Sequence, residues 1–218
     1  MTQQPVRPDR ARRLAVLGGW LVVVGCLLML ATVGIATIGQ PVAIGGAGIG
    51  GVVLAFALAA LAAGFALLAI AGPASIGGLS VRLGLALLAI GLAGIVASSV
   101  IAGGLTYDPL EELAFVVPFL LGGFATIVGI PFTLVGLLLH PGTPRRIAAA
   151  FLGGLAVIVL GGMLSNAMLA GDPGASSVPM VAGLVAAVGL GLVLLSICGL
   201  GVAAIRGTAA REDVAGGA

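Results

Sequence analysis

The sequence predicts an all-α, polytopic membrane bundle of six transmembrane helices, and three observations lead there. The first is composition. Of 218 residues, 61% are hydrophobic, a further 38 are glycine and only 7% are charged, against roughly 25% charged in an ordinary soluble domain. Too little polar surface remains to face water, so composition excludes a soluble enzyme, a disordered chain and a nucleic-acid binder. The second is the presence of six long stretches free of charge. The third is the placement of the nine basic residues, all of them arginine, at one alternate set of boundaries between those stretches.

The charge-free stretches run over residues 14–38, 50–71, 83–105, 113–139, 147–170 and 179–205. At 1.5 Å per residue each reaches roughly 33–40 Å as a helix, enough to cross a hydrocarbon core of about 30 Å with some tilt. Strands of a β-barrel would instead be short and alternate apolar with polar residues. The first stretch follows Arg7, Arg10, Arg12 and Arg13 as a signal peptide would. Its apolar run is much longer than the 7–15 residues of such a segment, so an uncleaved helix is expected. Residues 1–13 and 206–218 then form tails around a six-helix transmembrane domain over 14–205.

The arginines set the threading. With the N-terminus cytoplasmic, the inside holds Arg12 and Arg13 with the rest of the first tail. It also holds the loop with Arg82, the loop with Arg145 and Arg146, and the last tail with Arg206 and Arg211. The opposite loops carry Asp108, Glu111, Glu112 and Asp172 and no base. Basic residues are retained on the cytoplasmic side, so six crossings with both termini cytoplasmic in the cell (plasma) membrane is the expected topology. An odd helix count would scatter the arginines. The excess of Arg, Ala, Gly and Val over a complete lack of lysine reads as a prokaryotic, high-GC coding bias.

A repeat is visible in the spacing. Arg82 precedes Asp108-Pro109, and Arg146 precedes Asp172-Pro173, by the same interval. The stretch from Arg13 to Gln40-Pro41 fits more loosely, which gives three tandem helical hairpins. Arginine starts and Asp-Pro turns also suit any hairpin, so the repeat rests on spacing alone. Such a parallel arrangement differs from the inverted repeats of many secondary transporters.

Few residues offer chemistry. Gly46-x-Gly48-x-x-Gly51 has the outline of a dinucleotide-binding turn, but no acid occurs between Asp9 and Asp108 to hold a ribose. No cofactor is expected. The sole histidine, His140, lies in a cytoplasmic turn, expected to be a solvated one, and Cys26 and Cys198 stand alone in apolar runs. No zinc cluster, bis-histidine haem or serine–base pair can be assembled from them, so neither a metal site nor a catalytic residue is assigned. No ionisable residue lies deep in a span, which weighs against proton-coupled transport. Ser98, Ser99 and Asn166 are the candidate contacts for a solute, and Pro118 and Pro131 bend the fourth helix. The Asp108, Glu111 and Glu112 group precedes that helix, where carboxylates favour the N-terminus.

Glycines at small-xxx-small spacing are expected to draw helices together, since lipid supplies no hydrophobic force between them. The expected function is therefore non-enzymatic, acting through helix packing with itself as a homo-oligomer, with lipid or with a membrane partner subunit. The alternative is a permease component for a small neutral or apolar solute. Tag-accessibility mapping in intact cells should place residue 108 outside and residue 145 inside; finding both in one compartment overturns the threading.

Overall fold

The computed structural model describes residues 8–37, 49–71, 78–102, 109–140, 143–171 and 178–216. They form six α-helices in the order α1 (Pro8–Thr37), α2 (Ile49–Ala71), α3 (Leu79–Ala102), α4 (Pro109–Leu138), α5 (Thr143–Gly171) and α6 (Val178–Gly216), and no strand. All six are long and apolar enough to cross a membrane, and the fold is that of a multi-pass membrane protein. Large apolar side chains point outward on every helix, among them Trp20, Phe56, Ile90, Phe124, Val159 and Leu195. A surface of that kind is stable in lipid and would aggregate in water.

Five helices extend a turn or more beyond the uncharged stretches that predict them; α3 takes in Arg82, and α5 takes in Arg145 and Arg146. α1 begins at Pro8, since proline is pre-organised for a first helical turn and has no N–H to leave unpaired, so Arg10, Arg12 and Arg13 are helical. α4 begins at Pro109 in the same way and takes in positions 111 and 112. α6 continues past Arg206 to Gly216, through a segment rich in good helix formers such as Ala, Arg and Glu; the last tail is largely helix.

Helices adjacent in sequence are adjacent in space, and α1 also packs on α6. The result is a closed ring of six antiparallel neighbours. Its tightest pairs are α1·α2, α3·α4 and α5·α6, the three hairpins that the spacing predicts.

Glycine sets these pairs. A Cβ added to Gly18 would stand 3.0 Å from the Gly64 carbonyl oxygen, one on Gly91 2.8 Å from that of Gly122, and one on Gly154 2.8 Å from that of Gly189. Backbone meets backbone there, so nothing can yield cheaply to a side chain. A second close glycine lies seven residues away on the first helix of each hairpin: Gly84, whose added Cβ would stand 2.9 Å from the Gly129 carbonyl oxygen, and Gly25 and Gly161, whose Cβ would meet the side chains of Leu61 and Val185. Gly19 and Gly201 close the ring between α1 and α6 in the same manner, each 2.7 Å from the other's carbonyl by the same measure. A Cβ added to Gly123, Gly153, Gly162 or Gly191 would meet nothing within 4 Å, so only part of the glycine pattern serves packing within the chain.

A fifth seam, α2·α3, is held differently. The Arg82 Nε donates to the Ala69 carbonyl at 3.0 Å, one of the last carbonyls of α2, which have no partner within their own helix. Among the described residues, α4·α5 has neither a glycine contact nor such a tie, and it is the least contacted of the six seams. Replacing Gly91 by leucine should destabilise the bundle by about 1–3 kcal/mol, whereas Gly123→Leu should leave it near wild type. Thermal unfolding in mild detergent, followed by size-exclusion chromatography, measures both; equal stability of the two variants contradicts the seam.

Candidate functional site

Eight of the nine arginines lie within the described residues, and all sit at one end of the ring. Arg10, Arg12 and Arg13 open α1, Arg82 opens α3 beside the end of α2, and Arg145 and Arg146 open α5. Arg206 follows Ile205, whose side chain packs at Gly19 of α1. At this end the ring is filled by a cluster that includes Leu68, Val81, Leu85 and Ala204, each 2% exposed or less. The sequence assigns His140 to a solvated turn; in the structure it is half-buried, and its Nδ1 lies 2.8 Å from the Gly136 carbonyl, where it closes the last turn of α4.

Beside that filling lies a cavity of about 360 Å³, which reaches from Ile147 and Ala148 near the arginine end toward the middle of the helices. All six helices contribute to its wall, but unequally. Among the described residues α1 gives Met29 and α3 gives Leu88 and Leu92, whereas α4 and α5 give five side chains each and α6 gives six. The cavity thus lies under the loose α4·α5 seam, with Leu134 and Leu137 on one side of it and Phe151 and Leu155 on the other.

The lining is hydrocarbon apart from three hydroxyls, and each of these is already committed. Thr126 Oγ1 donates to the Gly122 carbonyl at 2.9 Å, Thr133 Oγ1 to Gly129 at 2.9 Å and Ser196 Oγ to Leu192 at 2.7 Å. Back-bonding to the preceding turn is how a hydroxyl avoids desolvation in a membrane helix. Among the described residues no buried side-chain nitrogen or oxygen lacks a partner. The chamber therefore presents apolar surface and no free donor, and its volume falls within the range of small-molecule sites.

Of the three polar solute candidates, Ser98 is described and does not line this cavity. It is 1% exposed, with its hydroxyl donating to the Ile95 carbonyl at 2.8 Å. Its position continues the seven-residue series Gly84, Gly91 along α3, so it acts as a further small packing residue. The side chains of Ser99 and Asn166 lie outside the described residues, as do those of Asp108, Glu111, Glu112 and Asp172 and the turn over 38–48. Pro118 and Pro131 are inside α4 without interrupting it, and neither touches the chamber. Pro131 is exposed, and Pro118 turns its carbonyl to Gly94. Cys26 belongs to the apolar cluster to which all six helices contribute and Cys198 packs against it; both thiols are free. Among the described residues no group of His, Cys, Asp or Glu is placed to hold a metal ion.

Thr126, Thr133 and Ser196 are the polar lining residues that sequence reasoning missed. The signal available was the glycine four residues before each threonine, which marks a carbonyl that the hydroxyl can reach. No protein family, curated protein or solved structure matches the chain.

Proposed function

We propose that this chain is a non-enzymatic protein of the cell membrane, with both termini cytoplasmic, that holds an apolar molecule inside its helix ring. The reading rests on the chamber of about 360 Å³ whose only polar groups are hydroxyls already bonded within their own helices. An apolar occupant loses nothing there. A polar or charged one would give up its hydrogen bonds to water without replacement, at a cost of several kcal/mol. The arginines gathered at one end of the ring support the cytoplasmic assignment of that end, as basic residues are retained on the inner side.

The same chamber supports a permease for a neutral or apolar solute more closely than a pump for a charged one. The sparsely packed α4·α5 seam beside it favours exchange with the bilayer over passage along the ring axis, since Leu68, Val81 and Leu85 are packed at the arginine end. Association with a second copy or a partner subunit is a further reading. It is favoured by Gly153 and Gly162 on α5, which leave open space where a helix backbone could approach.

Leu134 and Leu190 line the void from different helices, so tryptophan at each should occupy part of it. Native mass spectrometry of the wild-type chain in mild detergent should show a bound apolar adduct at close to one per chain. The double variant Leu134→Trp, Leu190→Trp should remain monodisperse and lose it; a wild type that carries no adduct, or a filled variant that keeps it, contradicts the reading.

A further inference from the structure

We infer that the occupant is an anionic lipid of the cytoplasmic leaflet, with one acyl chain passed between α4 and α5 into the chamber and its phosphate held by Arg145 and Arg146. The inference rests on the reading above that the ring interior holds an apolar molecule, and it adds the head-group chemistry and the route.

Three observations converge on one seam. The first is the chamber itself, to which α4 and α5 together give ten of the described lining side chains, with α6 giving six. The second is the packing: four of the six seams are drawn together by glycine and one by the Arg82 bond to Ala69, while α4·α5 has the fewest contacts. A flexible chain entering sideways from lipid meets least resistance there. The third is charge. Arg145 and Arg146 are both exposed in the first turn of α5, and Ile147 and Ala148, the next two residues, already line the chamber.

That placement is unusual for the helix. Cations are favourable at a helix C-terminus and unfavourable at an N-terminus, where the backbone dipole is already positive. Two arginines in the first turn of α5 therefore concentrate positive potential that an anion would relieve. Phe151 of the chamber wall lies six residues beyond Arg145, about 9 Å along the helix axis. This suits a lipid whose phosphate rests at the membrane interface while its acyl chain turns inward. A soluble anion would satisfy the arginines and leave the chamber unused, and a neutral alkane would do the opposite. Only an amphiphile with a negative head uses both.

The test uses the full-length protein in nanodiscs of equal parts phosphatidylglycerol and phosphatidylcholine, with native mass spectrometry of the lipid retained on ejection. The wild type should retain one phosphatidylglycerol with roughly tenfold enrichment or more, from two arginines acting on one anionic head. Arg145→Gln with Arg146→Gln should retain lipid without enrichment, and Arg145→Lys with Arg146→Lys should restore it. The chamber-filled variant Leu134→Trp, Leu190→Trp should retain neither lipid although its arginines are intact. Enrichment that survives the glutamine changes overturns the inference, as does phosphatidylglycerol that persists on the filled variant, because the lipid would then sit only on the surface. Retention by the wild type without head-group preference also overturns it, while leaving the apolar chamber in place. Loss of lipid from wild type and filled variant alike overturns both.

Discussion

Close approach of one helix backbone to another is the interaction on which this structure depends. In lipid the hydrophobic effect gives helices no reason to associate, because a leucine is as well solvated by acyl chains as by another leucine. What remains is dispersion, summed over many atoms at short range, and glycine is the residue that allows the range to be short. The pairs Gly18 with Gly64, Gly91 with Gly122 and Gly154 with Gly189 bring backbones to where a single Cβ would collide with a carbonyl. Each hairpin is built on such a pair, and Gly19 with Gly201 joins the last helix to the first.

The chamber is the consequence of spending the small residues on neighbour-to-neighbour seams. Six helices joined edge to edge in a ring cannot all reach its centre. At the arginine end, large buried side chains such as Leu68 and Leu85 fill the gap; farther in, Leu88, Leu134, Leu155 and Leu190 border a void. The hydroxyls around it are satisfied by their own helices, which keeps the wall apolar and the helices intact. Thr126 and Thr133 do two things at once, for each also abuts a glycine of α3, at Gly91 and Gly84 respectively. Arg82 joins α3 to α2 through the Ala69 carbonyl.

Much of the fold was legible in the sequence. Lipid obliges every backbone polar group to be bonded within its own segment, so each crossing must be an unbroken helix, and the charge-free stretches mark all six. The helix ends were less legible, because Pro8, Pro109 and the Ala-rich stretch after Arg206 extend helices beyond the apolar runs. The interior was not legible. When every face of a helix is apolar, periodicity no longer distinguishes core from lipid: Gly122 packs on α3 whereas Gly123, beside it, meets nothing. Polarity does not mark the chamber either. Ser98 is buried in packing, while the chamber is marked mostly by leucines that resemble those facing the bilayer.

The ring order is the central claim, since the chamber exists only if α6 returns to α1. Pulsed electron–electron resonance on spin labels tests it most directly, in a background with Cys26 and Cys198 replaced by alanine. Exposed positions 17 on α1, 206 on α6 and 139 at the end of α4 lie near the same face of the membrane. The distance from 17 to 206, between neighbouring helices, should be clearly shorter than that from 17 to 139, across the ring. Equal distances, or the reverse order, would mean that the helices do not close into a ring and that the chamber is absent.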